Sequence, residues 1–254
     1  SLPPHAVRVG EQVRTTADFG DYVPGEAHNI RWMWGDQSQP SIAYFAAGDS
    51  HVTGEHTYTQ AGIYKVGLDF SESCLESADE NYKQWMVIYD PAAGSVTGGG
   101  QLLSLQTSLP WMSQQQNAQF SFNVRYNQNR NTAPQGQTQL NLRDQGVFRS
   151  NTIDWLVVRG DQALWQGTGT LNGEGNYGFT ASVWDGRGTG ANDAGDEIRI
   201  RIWDKNAGNA IVYDNFETAG DIYDMTNPTS RIVRGQIIIH PINTANITAS
   251  QQAT

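Results

Sequence analysis

The residues best suited to chemistry lie in one glycine-rich loop. From Asp185 to Asp196 the chain reads DGRGTGANDAGD, which places carboxylate and amide oxygens on a flexible backbone. Calcium takes roughly six to eight oxygen ligands, and glycines let backbone carbonyls turn toward the ion. We therefore predict Asp185, Asp193 and Asp196 as carboxylate ligands of a calcium site. The alternative is a hairpin loop whose Asp and Asn side chains hydrogen-bond to turn amides, since the spacing does not match the EF-hand loop.

Trp184 directly precedes this loop and is the best candidate for a sugar-stacking platform, because aromatic faces pack on the CH groups of sugars. The alternative for this residue, and for the other tryptophans of the chain, is packing in a core or between sheets.

Catalytic motifs are missing from the sequence. The five histidines show no HExxH or comparable spacing, so zinc catalysis has no support. No serine lies in a G-x-S-x-G elbow. A carboxylate pair for glycoside hydrolysis would leave no local signature, because its members need only lie roughly 5–10 Å apart in space. No such pair stands out, and we predict that the protein is not an enzyme.

Charge and hydropathy exclude two classes of partner. The 254 residues include 16 Lys and Arg against 26 Asp and Glu, for a net charge of −10. Nucleic acid needs clustered cations, so we expect no nucleic-acid partner. No apolar run approaches the roughly 18–20 residues that span a bilayer, so we expect no membrane insertion. The single cysteine excludes an internal disulfide framework.

Period-two alternation of apolar and polar residues indicates many short strands. It is clearest in segments 63–70, 119–126 and 197–203, each of which has one apolar face. No stretch of ten or more residues has helical spacing. The sequence therefore predicts an all-β protein.

A proline and a run of small residues after position 90 predict a domain boundary. We expect two tandem β-sandwich domains at 1–90 and 97–242, a linker at 91–96 and a polar C-terminal tail at 243–254. The first residues, SLPP, lack an initiator Met and a signal sequence. We therefore expect an extracellular or cell-surface protein whose signal peptide has been removed.

Two sequence segments in the first domain carry a family resemblance. WMWGD at 32–36 and HTYTQAGIYKV at 56–66 resemble the paired motif of PKD domains, which are Ig-like β-sandwiches. The tryptophan pair would supply core contacts, and Tyr64, Val66 and Leu68 would share one face. Gln37 replaces the usual glycine, and the N-terminal part lacks the acidic calcium-loop pattern of the family.

The second domain resembles the β-rich module called a post-COAP domain, which often follows PKD repeats in exported bacterial proteins. The resemblance implies architecture and export, and no established catalytic residues come with it. It rests on segments DWLVV (154–158), GTGTLNGEGNYGF (167–179), RIRIWD (199–204), VYDN (212–215) and GQIIIH (235–240).

These observations favour a non-catalytic extracellular structural protein, a self-assembling subunit of a surface layer, appendage or filament, whose partners are copies of itself. Its terminal strands would add to the sheet edge of another subunit. The alternative is a carbohydrate-binding or adhesive accessory module of a secreted enzyme, with a polysaccharide partner. The residues predicted to mediate assembly are Leu2, Val7, Val9, Ile237 and Ile239.

Overall fold

The computed structural model describes residues 6–18, 28–69, 84–104, 116–127, 133–143, 146–186, 195–216, 220–225 and 230–241. The chain divides into two compact units, Ser1–Tyr89 and Asp90–Thr254. Both are built from strands, and the described residues contain no α-helix, so the protein is all-β. None of the described segments is a helix with the length and hydropathy of a membrane span.

The first unit has a five-stranded sheet in the order β1-β7-β6-β3-β4 and a separate pair, β2-β5. β1 runs parallel to β7, and the other pairs are antiparallel. The strands are β1 (Val7–Arg8), β2 (Gln12–Asp18), β3 (His28–Met33), β4 (Ser41–Phe45), β5 (His51–Thr57), β6 (Gly62–Asp69) and β7 (Gln84–Tyr89).

One hydrophobic core joins the two sheets of the first unit, and it contains residues from β2 and β5 as well as from the larger sheet. The predicted core face of β6 is confirmed, because Tyr64, Val66 and Leu68 are all buried. Aromatic rings fill much of this core. Trp34 stacks on His56 with ring centroids 4.9 Å apart, and the hydroxyl of Tyr58 donates to the carbonyl of Trp34.

The second unit is an antiparallel strand series that begins inside the predicted linker, because β8 starts at Gly94. A short 3-10 turn at Lys205–Ala207 separates β14 from β15. The strands are β8 (Gly94–Ser104), β9 (Gln116–Arg125), β10 (Gln135–Asn141), β11 (Val147–Arg159), β12 (Gln162–Leu171), β13 (Glu174–Trp184), β14 (Glu197–Asp204), β15 (Ala210–Asp214) and β16 (Ser230–Pro241).

Eight of these strands close into a barrel. The order β8-β9-β10-β11-β12-β13-β14-β16 returns to β8, and every neighbouring pair is antiparallel. The closed barrel replaces the second β-sandwich that the sequence predicts. Both architectures need strands with one apolar face, so the period-two pattern is the same for either.

Side chains fill the barrel, as expected for eight strands, whose interior is just wide enough for them. Phe122 and Trp165 are both buried with ring centroids 4.8 Å apart, and the Trp165 indole N–H donates to Thr138 Oγ1 at 2.9 Å. A hydrogen bond of 2.7 Å joins the hydroxyls of Ser104 and Tyr213. The interior of the barrel is therefore a packed core.

Part of β14 forms its hydrogen bonds with a side chain in place of a neighbouring strand. β14 pairs with β16 at its first residues and with β15 at its last. Between these pairings, Asn215 Oδ1 accepts the N–H of Ile200 at 2.6 Å, and its Nδ2 donates to the carbonyl of Ile198 at 3.0 Å. The fully buried Asn215 amide thus takes the place of one peptide group of a neighbouring strand.

Candidate functional site

One side of the barrel is covered by its own chain. Arg199 points outward from β14 and is nonetheless buried, because the segment after β15 lies over it. Its Nε and Nη2 donate to the two carboxylate oxygens of Asp214, each at 3.0 Å, and its Nη1 donates to the Gly220 carbonyl at 2.9 Å. Arg201 Nε donates to the same carboxylate at 2.8 Å. The buried charges are therefore paired and hydrogen-bonded, which is how such groups stabilise a fold.

The covering segment continues over β12 and β13. Tyr223 Oη donates to Gln166 Oε1 at 2.8 Å, and Gln162 Nε2 donates to the Met225 carbonyl at 2.8 Å. Burial raises the pKa of Tyr223 to about 12, so this hydroxyl stays protonated and keeps donating. This side of the barrel is occupied by structural contacts.

The opposite side, formed by β16, β8, β9 and β10, is an open outer surface, which we call the open face. On β9 the inward residues are buried, and the intervening polar residues point outward. The register aligns these outward residues in rows across the strands, with side chains of directly opposed residues about 5 Å apart. One row is Arg234, Gln101, Gln119 and Asn141, and the next is Gln236, Gly99, Ser121 and Gln139.

A cleft of about 260 Å³ lies between these rows. Arg149 Nε donates to Gln139 Oε1 at 3.3 Å at its border. None of the described residues that line the cleft carries a carboxylate. Its lining residues are Gly100, Gln101, Gln119, Phe120, Ser121, Gln139, Asn141 and Arg234.

Four polar side chains around the cleft are free to bind a ligand. Within the part of the chain that the structure describes, Gln101, Gln119, Ser121 and Arg234 make no side-chain hydrogen bond or ion pair with the protein. Each amide offers two donors and one acceptor, and the hydroxyl offers both functions. Together with the guanidinium, they form a neutral-to-basic surface rich in hydrogen-bonding groups.

Close backbone contact between β8 and β16 shapes the edge of the cleft. A bulge in β16 shifts the register between Ile232 and Arg234. Gly235 has φ of +117°, and a Cβ at Gly100 would lie 2.2 Å from the Arg234 carbonyl oxygen. Glycine is therefore required at both positions. At Gly99 a Cβ would meet only one atom, at 3.7 Å, so the outer surface there is open.

The two described aspartates of the predicted calcium site bind backbone amides. Asp196 is fully buried, and its Oδ1 and Oδ2 accept the N–H groups of Gly186 and Ile237. Asp185 Oδ2 accepts the N–H of Ile239 at 3.0 Å. These contacts agree with the hairpin alternative. Calcium binding stays a prediction, because Asp193 lies outside the described residues; among the described ones, no group of three or more metal-ligating side chains is found.

Trp184 ends β13 and is 41% exposed. β13 lies diametrically across the barrel from β9, so the structure does not bring Trp184 together with the cleft. Its role as a sugar platform stays a prediction, independent of the open face.

The predicted assembly residues lie within their own units. Val7 pairs with Ile88 on β7, and the N–H of Val9 donates to the Tyr89 carbonyl at 2.8 Å. Ile237 and Ile239 are buried in the barrel wall, where β16 pairs with β8, and their role in assembly stays a prediction. Leu2 lies outside the described residues.

An unpaired edge occurs instead at β4. It ends the five-stranded sheet of the first unit, and no described strand pairs with its other side. Ile42 and Tyr44 are 70% and 69% exposed on this strand, and the neighbouring Met33 is 45% exposed. This strand contains no charge and no proline, the usual protections of an edge.

One carboxylate of the first unit has a perturbed proton equilibrium. Asp36 Oδ2 lies 2.8 Å from His56 Nε2, and Oδ1 accepts the backbone N–H of Ser38 at 3.1 Å. Burial raises the pKa of Asp36, but the hydrogen bonds from Ser38 and His56 outweigh it and hold that pKa below its ordinary value. The contacts of Asp36 with His56 and Ser38 therefore stabilise the turn that follows Trp34.

Sequence reasoning missed the cleft residues Gln101, Gln119, Ser121 and Arg234. The available signal was that β8, β9, β10 and β16 contain no Asp or Glu. Comparisons of this chain with protein-family models, curated proteins and solved structures find no match in any of the three.

Proposed function

We propose that the protein binds a polysaccharide through the open face of its barrel and is not an enzyme. The observation that carries this proposal is the set of unpartnered polar side chains around the cleft, Gln101, Gln119, Ser121 and Arg234. Sugar hydroxyls both donate and accept hydrogen bonds, and amide and hydroxyl side chains can do the same in return. A surface of this kind can bind a sugar without catalysing a reaction on it.

The size of the cleft suits one sugar unit of a longer chain. At about 260 Å³ it is below the roughly 300–1,000 Å³ of pockets for drug-sized ligands. Further polar residues continue the open face beyond the cleft, so neighbouring units of a polymer would find additional partners. These residues are Ser95, Thr97, Asn123, Gln135 and Gln137.

Location outside the cell belongs to this proposal. It is supported by the resemblance of the first unit to PKD domains and of the second to post-COAP domains. The burial of Trp32, Trp34 and Tyr58 supports the finer assignment of the first unit as an Ig-like sandwich of the PKD type.

A glycan array and titration of the best ligand test the proposal. Replacing Gln101 and Gln119 together by Ala removes two hydrogen-bonding partners worth about 1 kcal/mol each, so affinity is expected to fall about tenfold or more. The matched control replaces Asn151 and Asn176 together by Ala. Both residues are exposed and lie outside the cleft, so this variant is expected to bind the glycan normally. Absence of glycan binding, or equal loss in both double variants, would overturn the proposal.

Self-assembly is a second candidate, favoured by the exposed edge strand β4. Antiparallel pairing with β4 of a second copy would place Ile42 against Tyr44 of the partner and, by the two-fold symmetry, Tyr44 against the partner's Ile42, which closes a dimer. Light scattering of the full chain over a range of concentrations is expected to show association, and Ile42→Lys to abolish it. A monomer at every concentration would rule this candidate out.

A further inference from the structure

Charge is distributed unevenly over the chain. Of its 26 acidic residues, none lies in β8, β9, β10 or β16, although the net charge is −10. These four strands are contiguous in the barrel and carry arginines at 125, 231 and 234. The open face is therefore a basic surface on an acidic protein.

Arg234 is the cation that the cleft presents. It is exposed, lies opposite Gln101 in the register and lines the cleft. Its guanidinium has no hydrogen bond or ion pair with any described residue. A guanidinium is a rigid fork of N–H donors that matches the two oxygens of a carboxylate or sulfate. A neutral sugar would use its hydrogen bonds but not its charge.

The rest of the cleft suits the sugar that would carry this anion. Gln101 and Gln119 lie next to Arg234 along one row, so their amides can bind hydroxyls beside the anionic group. Arg149, held by Gln139, adds a second cation at the far border. Because none of the described lining residues is a carboxylate, an acidic sugar meets no repulsion from them.

We propose that the polysaccharide bound at the open face carries an anionic group, a carboxylate or a sulfate, on its repeating sugar, and that Arg234 receives this group. The inference rests on the proposed function and names its ligand class. Since long-range repulsion by the net charge of −10 opposes an anionic polymer, binding depends on the short-range contact with the guanidinium.

Three polymers test the proposal by titration against the full chain: polygalacturonate, dextran sulfate and neutral dextran. Wild type is expected to bind at least one anionic polymer about tenfold more tightly than dextran. Comparison of the carboxylated and sulfated polymers identifies which anion is preferred. Arg234→Gln keeps a hydrogen-bonding side chain but removes the charge, and it is expected to lower the affinity for the anionic polymers to about that for dextran.

Arg159→Gln is the matched control. Arg159 is an exposed arginine at the end of β11 outside the cleft, and its replacement changes the net charge equally. Equal loss in both variants, or dextran bound as tightly as the anionic polymers, would overturn the anionic assignment. Dextran binding that depends on Gln101 and Gln119 would then leave the proposed function standing, whereas absence of binding to all three polymers would count against both. Thermal unfolding of each variant checks that the fold is intact.

Discussion

The carboxylate of Asp196 accepts the backbone N–H of Ile237 across 2.5 Å, and so joins the start of β14 to β16. Direct pairing between these two strands covers only two residue pairs. Beyond this pairing, the carboxylates of Asp196 and Asp185 accept the N–H groups of Ile237 and Ile239, which the carbonyls of a neighbouring strand would otherwise accept. The barrel is therefore closed partly by side chains, and the Asp-rich loop has a structural task in the wall.

This closure predicts a large effect of Asp196→Asn. The amide retains one acceptor but turns an NH2 group toward the second backbone N–H, so one buried donor loses its partner. The free energy of unfolding of the barrel should fall by about 2–3 kcal/mol. Hydrogen exchange of the Ile237 amide should accelerate, and mass spectrometry of the corresponding peptide measures it.

Asp154→Asn is the control for this change. Asp154 is exposed and accepts a hydrogen bond only from the Thr152 hydroxyl among the described contacts, so the expected effect is within about 0.5 kcal/mol. Unchanged stability and exchange in Asp196→Asn would contradict closure by the carboxylate.

Neighbouring glycines of β8 should respond oppositely to alanine. A Cβ at Gly98 would lie 2.5 Å from Cζ of Phe122 inside the barrel, so Gly98→Ala is expected to cost about 1–3 kcal/mol. At Gly99 the added methyl group points to open space, and the loss of glycine flexibility should leave stability equal or slightly higher. Chemical denaturation of both variants measures the difference. Equal destabilisation would show that the two sides of β8 are misassigned.

Acid should weaken the first unit through Asp36. Because the folded pKa of Asp36 lies below its ordinary value, its ionised form stabilises the fold at pH above about 4. This contribution disappears as the pH falls through the ordinary value toward the folded pKa. Asp36→Asn should therefore cost about 1–2 kcal/mol at pH 7 and almost nothing at strongly acidic pH.

Urea denaturation at several pH values, followed by tryptophan fluorescence, tests the Asp36 prediction. Glu11→Gln is the control, since Glu11 is exposed and no side-chain contact with it is found in the described part of the chain. A difference between wild type and Asp36→Asn that stays constant with pH would contradict it.

The strands could be predicted from the sequence, but the closure of the barrel could not. Alternating residues located β6, β9 and β14, although only β9 buries one face and exposes the other, whereas β6 and β14 bury residues of both faces. A sandwich and a barrel impose the same alternation, and the decision between them depends on contacts distant in sequence. Asn215 and Asp196 make those contacts, yet each looks like an ordinary turn residue when the chain is read alone.

The cleft could not be predicted from the sequence for a related reason. Gln101 lies on β8 and Gln119 on β9, and only the strand register brings them into one row. Before that register is known, outward Gln and Ser residues resemble any polar surface. The Asp-rich loop attracted the sequence prediction because its residues are adjacent, whereas the open face is assembled from four strands.

Side-chain amide resonances of the isotopically labelled full chain test the central claim most directly, when polygalacturonate fragments are added during an NMR titration. The account predicts that the NH2 signals of Gln101 and Gln119 shift progressively, while those of the buried Asn215 stay in place. Shifts confined to the Trp184 indole and its surroundings, or no shift at saturating ligand, would contradict binding at the open face.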